Sequence, residues 1–223
     1  FGLGVDEIFP DKAVIIAPLM SDLPDSFFIT SAIDGLIHSI ESYLSPKSNV
    51  YPELFSEKSI DCYINGFKRI AKYGIGVKSE LLEDFLIASN MAGIAFPNTG
   101  TGAVQAISYP VSGKYHVTHG EANAQFLLPV LELYEQKDSG TKLGKLKALM
   151  SQTLECNAEN TFEALQKVLE DVITLPKLRD YGMKEDEIIP FADSVVANQQ
   201  RLLSNSYVHV ESEDIQEIYK SIF

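Results

Sequence analysis

The strongest constraint in this sequence is the helical periodicity of its apolar residues, which begins near residue 25 and continues to the C-terminus. Apolar side chains that recur every three to four residues form one face of an α-helix, and this face must be buried. The clearest stretch ends where Ser45 is followed by Pro46, which cannot continue a helix. Its apolar residues are Ile33, Leu36, Ile37, Ile40, Tyr43 and Leu44. This periodicity therefore predicts a helix that starts near residue 25 and a fold dominated by helices.

Glycine, proline and asparagine divide the rest of the chain into further helices. We predict them at about 52–73, 79–95, 119–135, 141–154, 160–173, 184–204 and 211–222. The third helix should stop before Pro97, with a glycine-rich turn at 98–102 and a loop at 111–118. Residues 1–24 do not look helical, and the β-branched run at 12–17 indicates a strand or an extended segment. The predicted fold class is all-α, with a helical domain at 25–223 after a short extended N-terminal segment at 1–24.

Composition excludes several classes of function. The 223 residues include 18 Lys and Arg against 31 Asp and Glu, a net charge of −13, and no basic cluster that could bind nucleic acid. No segment is apolar over the roughly 18 residues that a membrane span requires. Cys62 and Cys156 are too few and too far apart for a disulfide framework, which favours a reducing compartment and hence the cytoplasm.

The chain has four histidines, and one of them has a chemically interesting neighbour. Asp34 and His38 are four residues apart in a predicted helix, so their side chains lie on the same face. They could be two ligands of a divalent metal, but the spacing alone favours an ordinary Asp–His hydrogen bond on the helix surface. His119 opens a predicted helix and His116 precedes it on a loop; each by itself is better explained as a capping or surface residue. His209 is expected to be solvated.

Two segments together resemble the signatures of one family. Residues 32–43, Ala-Ile-Asp-Gly-Leu-Ile-His-Ser-Ile-Glu-Ser-Tyr, resemble the Asp-x3-His-x2-Glu signature of the iron-containing (group III) alcohol dehydrogenases. Residues 102–110 and 116–129 resemble the second signature of that family in its expected order and distance. Residues 34–47 and 51–57 look most like the 4-hydroxybutyrate dehydrogenase branch.

The resemblance implies a set of site residues. In the family an Asp and a His from the first signature and two His from the second bind a divalent metal, which places Asp34, His38 and His119 as ligands. The fourth position is Gln105, a weaker ligand for Fe or Zn than the usual histidine. Tyr109 stands where many members have a further histidine near the substrate, so it is the candidate catalytic residue, able to donate a hydrogen bond or join a proton relay.

The resemblance also implies an activity. The chain would be the C-terminal, metal-binding domain of the dehydroquinate synthase-like fold, with the N-terminal NAD(P)-binding domain absent from this sequence. The full-length enzyme, expected to be a homodimer, would transfer hydride between NAD(P) and a small alcohol or aldehyde, such as 4-hydroxybutyrate and succinic semialdehyde, with Fe or Zn as a Lewis acid. The fragment alone should be inactive. A carboxylate on the substrate would need a basic residue nearby, for which Lys47 and Lys114 are candidates.

Two other hypotheses remain open from the sequence. The same fold could have a degenerate or non-iron metal site because of Gln105. From a different class, the chain could be a non-catalytic helical interaction domain, which the acidic composition allows. Nothing in an interaction domain would require the two separated signatures.

Overall fold

The computed structural model describes residues 8–138 and 140–223, and helices make up most of this range. The α-helices are α1 Asp25–Leu44, α2 Val50–Tyr73, α3 Lys78–Thr99, α4 Ala103–Tyr115, α5 His119–Lys137, α6 Thr141–Leu154, α7 Thr161–Glu170, α8 Ile188–Asn198, α9 Gln200–Leu203 and α10 Ser212–Ser221. No strand occurs in the described residues, which confirms the all-α class.

The predicted stop before Pro97 and the predicted loop at 111–118 were both wrong. Helix α3 continues through Pro97 to Thr99, and α4 continues through Pro110 to Tyr115, so the predicted loop at 111–118 is mostly helix. A proline removes only its own N–H bond, and the following residues can still bond. The Gly100 N–H, for example, donates to the Phe96 carbonyl at 2.7 Å and closes the last turn of α3. The glycine turn is therefore confined to residues 100–102.

Two other predicted helices differ from the structure. The predicted helix at 184–204 is a 3-10 turn, Glu185–Glu187, followed by α8 and α9, and the helix at 160–173 ends at Glu170. Residues 12–16 form neither a helix nor a strand, so the predicted strand is not found there. Residues Ala17–Met20 form a 3-10 turn within the segment predicted not to be helical. The rest of the predicted N-terminal segment, residues 1–7, lies outside the described residues. Cys62 and Cys156 are free and partly buried.

Helix α1 lies at the centre of the domain. It packs against α2, α3, α5 and α6, and most of its residues are buried. Such a helix is buried on nearly every side. The partly exposed residues Asp34 and His38 share the remaining face. The core thus fixes the orientation of this one polar edge.

Gly120 allows α5 to approach α1 closely. A Cβ atom added at Gly120 would lie 2.4 Å from the Thr30 carbonyl oxygen, a backbone atom that cannot rotate away. This approach brings the start of α5 beside the polar edge of α1.

We expect Gly120→Ala to lower the free energy of unfolding by about 1–3 kcal/mol, because the two backbones would have to separate. Gly93→Ala is the matched control: Gly93 lies in α3 with open space around its Cα, and alanine there should be neutral or stabilise the helix. Urea unfolding followed by circular dichroism measures both effects. Equal stability of the two variants would show that the α1–α5 contact can accommodate a methyl group at residue 120.

Candidate metal centre

The polar edge of α1 presents a carboxylate and an imidazole to the same region. His38 Nε2 lies 3.8 Å from Asp34 Oδ1, as the four-residue spacing predicts. The His38 ring stacks on Phe96 of α3, with ring centroids 4.6 Å apart. Burial lowers the pKa of His38; the Asp34 charge opposes this change and His119 adds to it. A neutral imidazole is the form that binds a metal.

Helix α5 adds a second imidazole. It begins at His119, as predicted, and His119 Nε2 lies 3.9 Å from Asp34 Oδ2. The side chain is 45% exposed, so it borders solvent. One turn later, the buried Asn123 donates from Nδ2 to Asp34 Oδ1 at 2.7 Å and lies within hydrogen-bond distance of His119 Nε2, at 3.0 Å. Sequence analysis missed Asn123, although its four-residue spacing from His119 was a usable signal.

Helix α4 contributes the two remaining predicted residues. Gln105 is buried and donates from Nε2 to Asp34 Oδ1 at 2.8 Å. Tyr109, one turn later, stacks on His119 with ring centroids 6.0 Å apart. Burial raises the pKa of Tyr109; the Arg201 charge acts in the opposite direction, and Glu41 and Asp34 raise it further. The structure thus brings all five predicted site residues together around Asp34.

Glu41 is a further buried carboxylate that holds the start of α4. It accepts hydrogen bonds from the N–H groups of Gly102 at 2.9 Å and Val104 at 2.7 Å. Burial raises the pKa of Glu41 to about 7, against the opposing effect of these N–H groups. Glu41 belongs to the first signature, but the sequence indicated no role for it because its partners lie about 60 residues away.

The donor set suits a metal such as Fe or Zn. One carboxylate with two imidazoles is a common set for these ions. Asp34 Oδ1 accepts hydrogen bonds from the side-chain amides of Gln105 and Asn123. Oδ2 accepts no hydrogen bond from the described residues and faces His119. Ligand atoms on a tetrahedral metal lie about 3.4 Å apart. The two Asp–His distances are longer, and within residues 8–138 and 140–223 no three His, Cys, Asp or Glu side chains form a compact cluster. A metal would therefore draw the side chains together slightly.

The other sequence candidates make none of the contacts of this centre. His116 ends α4 in an exposed position with a left-handed backbone, φ 56°. His209 is exposed, as predicted, at 3.7 Å from Glu211. Among the described helices, none is long and apolar enough to cross a membrane.

A model described as "Fe-containing alcohol dehydrogenase family, C-terminal" matches residues 28–223. The chain belongs to this family. The match confirms the resemblance inferred from the two signatures, and Asp34, Gln105 and His119 all lie inside the matched range.

Curated relatives of this iron-type alcohol dehydrogenase domain include other dehydrogenases. It is 41% identical over 222 residues to a 4-hydroxybutyrate dehydrogenase of Clostridium kluyveri, covering 100% of this chain and 60% of that protein. It is 30% identical over 184 residues to alcohol dehydrogenase 4 of Saccharomyces cerevisiae, covering 82% of this chain and 47% of the yeast protein. The domain therefore spans about half to three-fifths of the length of these relatives.

Solved structures share the fold of this alcohol dehydrogenase domain. A 1,3-propanediol oxidoreductase superposes with a TM-score of 0.81 at 22% identity, over 93% of this chain and 54% of that one. The iron-containing alcohol dehydrogenase of Thermococcus thioreducens gives 0.83 at 24% identity, over 98% and 56%. At these identities the likeness establishes the fold.

Proposed function

We propose that this chain is the metal- and substrate-binding half of a cytoplasmic NAD(P)-dependent alcohol dehydrogenase that interconverts 4-hydroxybutyrate and succinic semialdehyde. The main supporting observation is the convergence of His38 and His119 on Asp34, from helices that contain the two family signatures. The similarity to the Clostridium kluyveri enzyme supports the choice of substrate.

Asp34, His38 and His119 would hold Fe or Zn. Gln105 donates a hydrogen bond from Nε2 to Asp34, so its Oε1 is the atom that would bind a metal. When bound, the ion supplies Lewis-acid stabilisation of negative charge on the substrate oxygen. The amides of Gln105 and Asn123 fix the Asp34 carboxylate in one orientation.

Tyr109 is the residue we propose for contact with the substrate. Its ring packs on His119, which places it beside the proposed ligands. Because burial raises the pKa of Tyr109, its hydroxyl keeps its proton at neutral pH and acts as a hydrogen-bond donor to the substrate oxygen rather than as a base. In alcohol oxidation, the carbon gives a hydride to NAD(P)⁺, the hydroxyl gives up a proton, and the products are an aldehyde and NAD(P)H.

A separate domain would bind the NAD(P). Residues 8–24 of the interdomain segment (1–24) expose apolar side chains that this domain could cover, namely Ile8, Phe9, Val14, Ile15, Ile16 and Leu19. We propose that the two-domain protein forms a homodimer and that residues 25–223 alone lack activity.

A second candidate is the same fold with a metal-independent or degenerate site. The observation that favours it is the position of Gln105, where an amide that donates to Asp34 replaces the family's usual imidazole. An amide oxygen binds Fe or Zn more weakly than imidazole does.

Metal removal distinguishes the two candidates. In the two-domain protein, chelation should reduce 4-hydroxybutyrate oxidation about 100-fold or more, and Fe²⁺ or Zn²⁺ should restore it, because Lewis-acid stabilisation amounts to several kcal/mol. The assay follows NADH and NADPH absorbance, with bound metal determined by elemental analysis. Full activity of demonstrably metal-free protein would favour the second candidate. A metal-loaded protein that oxidises no small alcohol would contradict both.

A further inference from the structure

Arg201 lies on α9, a short helix that is fixed to the turn before α4. The Asn205 side-chain amide donates from Nδ2 to the Arg201 carbonyl at 3.0 Å and to the Thr101 carbonyl at 3.2 Å. Gly100, at φ 76°, leaves room for this amide, since a Cβ there would lie 2.2 Å from Asn205 Nδ2. Helix α9 also packs against α4 itself. The backbone of Arg201 is thus held in a fixed relation to the helix that contains Gln105 and Tyr109.

The side chain of Arg201 is an available cation. Leu202 and Leu203 point into the core, whereas Arg201 is exposed. No carboxylate of the described residues forms an ion pair with its guanidinium within 4.0 Å. In a chain of net charge −13, an arginine without such a partner is a favourable position for an anion.

Tyr109 lies on α4, the helix against which α9 packs. Its ring stacks on His119. Tyr109 therefore contacts the proposed ligands through His119, and its helix contacts the helix that contains Arg201. A short substrate whose oxygen meets Tyr109 would therefore have the metal centre at one end and Arg201 near the other.

The two lysines suggested by the sequence are less suitable. Lys114 is paired with Glu187, which also accepts a hydrogen bond from Tyr115. Lys47 lies in the turn after α1, whose last residue, Leu44, is already about 9 Å along the helix axis from His38.

We propose that Arg201 binds the carboxylate of the substrate and thereby selects short ω-hydroxy acids over uncharged alcohols. This assignment rests on the proposed alcohol dehydrogenase function. A guanidinium matches a carboxylate with two parallel N–H···O bonds, a geometry that lysine does not reproduce. The hydroxyl of the substrate would then lie at Tyr109 and the Asp34–His38–His119 centre.

The test compares two substrates that differ only in the distal group. In the two-domain protein, Arg201→Gln should lower kcat/KM for 4-hydroxybutyrate about 100-fold, the effect of losing a charged hydrogen-bond partner, and change that for 1,4-butanediol less than about threefold. Arg201→Lys should recover part of the loss. Arg179→Gln, which removes another exposed arginine that has no ion pair with a described residue, is the control and should change neither value.

Butyrate binding, measured by calorimetry, gives a second readout that needs no turnover. Arg201→Gln should weaken butyrate binding about as much as it lowers kcat/KM for the acid. Equal losses for acid and diol, or no loss for either, would overturn the assignment. If the wild type turned over neither substrate, the proposed function would fail, and butyrate binding would still decide whether Arg201 is a carboxylate site.

Discussion

Asp34→Ala should leave the two-domain protein without bound metal and reduce kcat/KM for alcohol oxidation by about 1000-fold or more. The imidazoles of His38 and His119 both face the Asp34 carboxylate. The side-chain amides of Gln105 and Asn123 both donate hydrogen bonds to it. Its removal takes away the anionic ligand and with it several kcal/mol of transition-state stabilisation. Kinetics with 4-hydroxybutyrate, together with elemental analysis of the same sample, measure both effects.

Two further variants separate the chemistry of Asp34 from its structural contribution. Asp34→Asn keeps the shape but loses the charge, so metal affinity should fall while the melting temperature changes little. Asp84→Ala removes an exposed carboxylate of α3 and should leave metal and activity unchanged. Stoichiometric metal and full activity in Asp34→Ala would rule out Asp34 as a ligand.

The second large effect concerns stability. Glu41→Ala should lower the free energy of unfolding by about 3–5 kcal/mol, because it leaves the buried N–H groups of Gly102 and Val104 without an acceptor and creates a cavity. Glu41→Gln retains an amide oxygen that can accept one of these bonds, so its cost should be about half as large. Urea unfolding of the metal-free chain measures both, and a cost below about 1 kcal/mol for Glu41→Ala would contradict this role.

The Glu41 carboxyl also predicts a pH dependence. Its pKa is raised from 4.5 to about 7 in the folded protein. Between these values the folded protein keeps a proton that the unfolded chain has released, so the contribution of Glu41 to stability is full below pH 4.5 and is lost as the pH rises to 7. The loss is at most about 3 kcal/mol. Glu41→Gln should therefore show a smaller fall in unfolding free energy between pH 5 and 7.5 than the wild type.

Local sequence signals were sufficient for α1 and for part of the site. The spacing of its apolar residues predicted the buried face of α1, and the four-residue spacing of Asp34 and His38 predicted that they share a face. Local signals failed at the end of α3 and at the predicted loop 111–118. Helix α3 continues through Pro97, although a proline tends to end a helix, and α4 extends to Tyr115.

Contacts between distant parts of the chain could not be inferred from the sequence. Asn123 donates to a residue 89 positions away, and Asn205 joins α9 to Thr101 across 104 positions. Neither the spacing of apolar residues nor a helix-capping pattern predicts such a contact. The resemblance placed Gln105 near the metal position, but only the structure shows that its amide donates to Asp34.

The two amides on Asp34 Oδ1 have a consequence for how the protein acquires its ion. They order the carboxylate before any cation arrives, so little rotational entropy of this side chain is lost on binding. The three helices that meet here are also held together by an apolar core. The ion should therefore bind to a preorganised site rather than by folding coupled to binding. The same folded protein would then accept different divalent ions as their concentrations change.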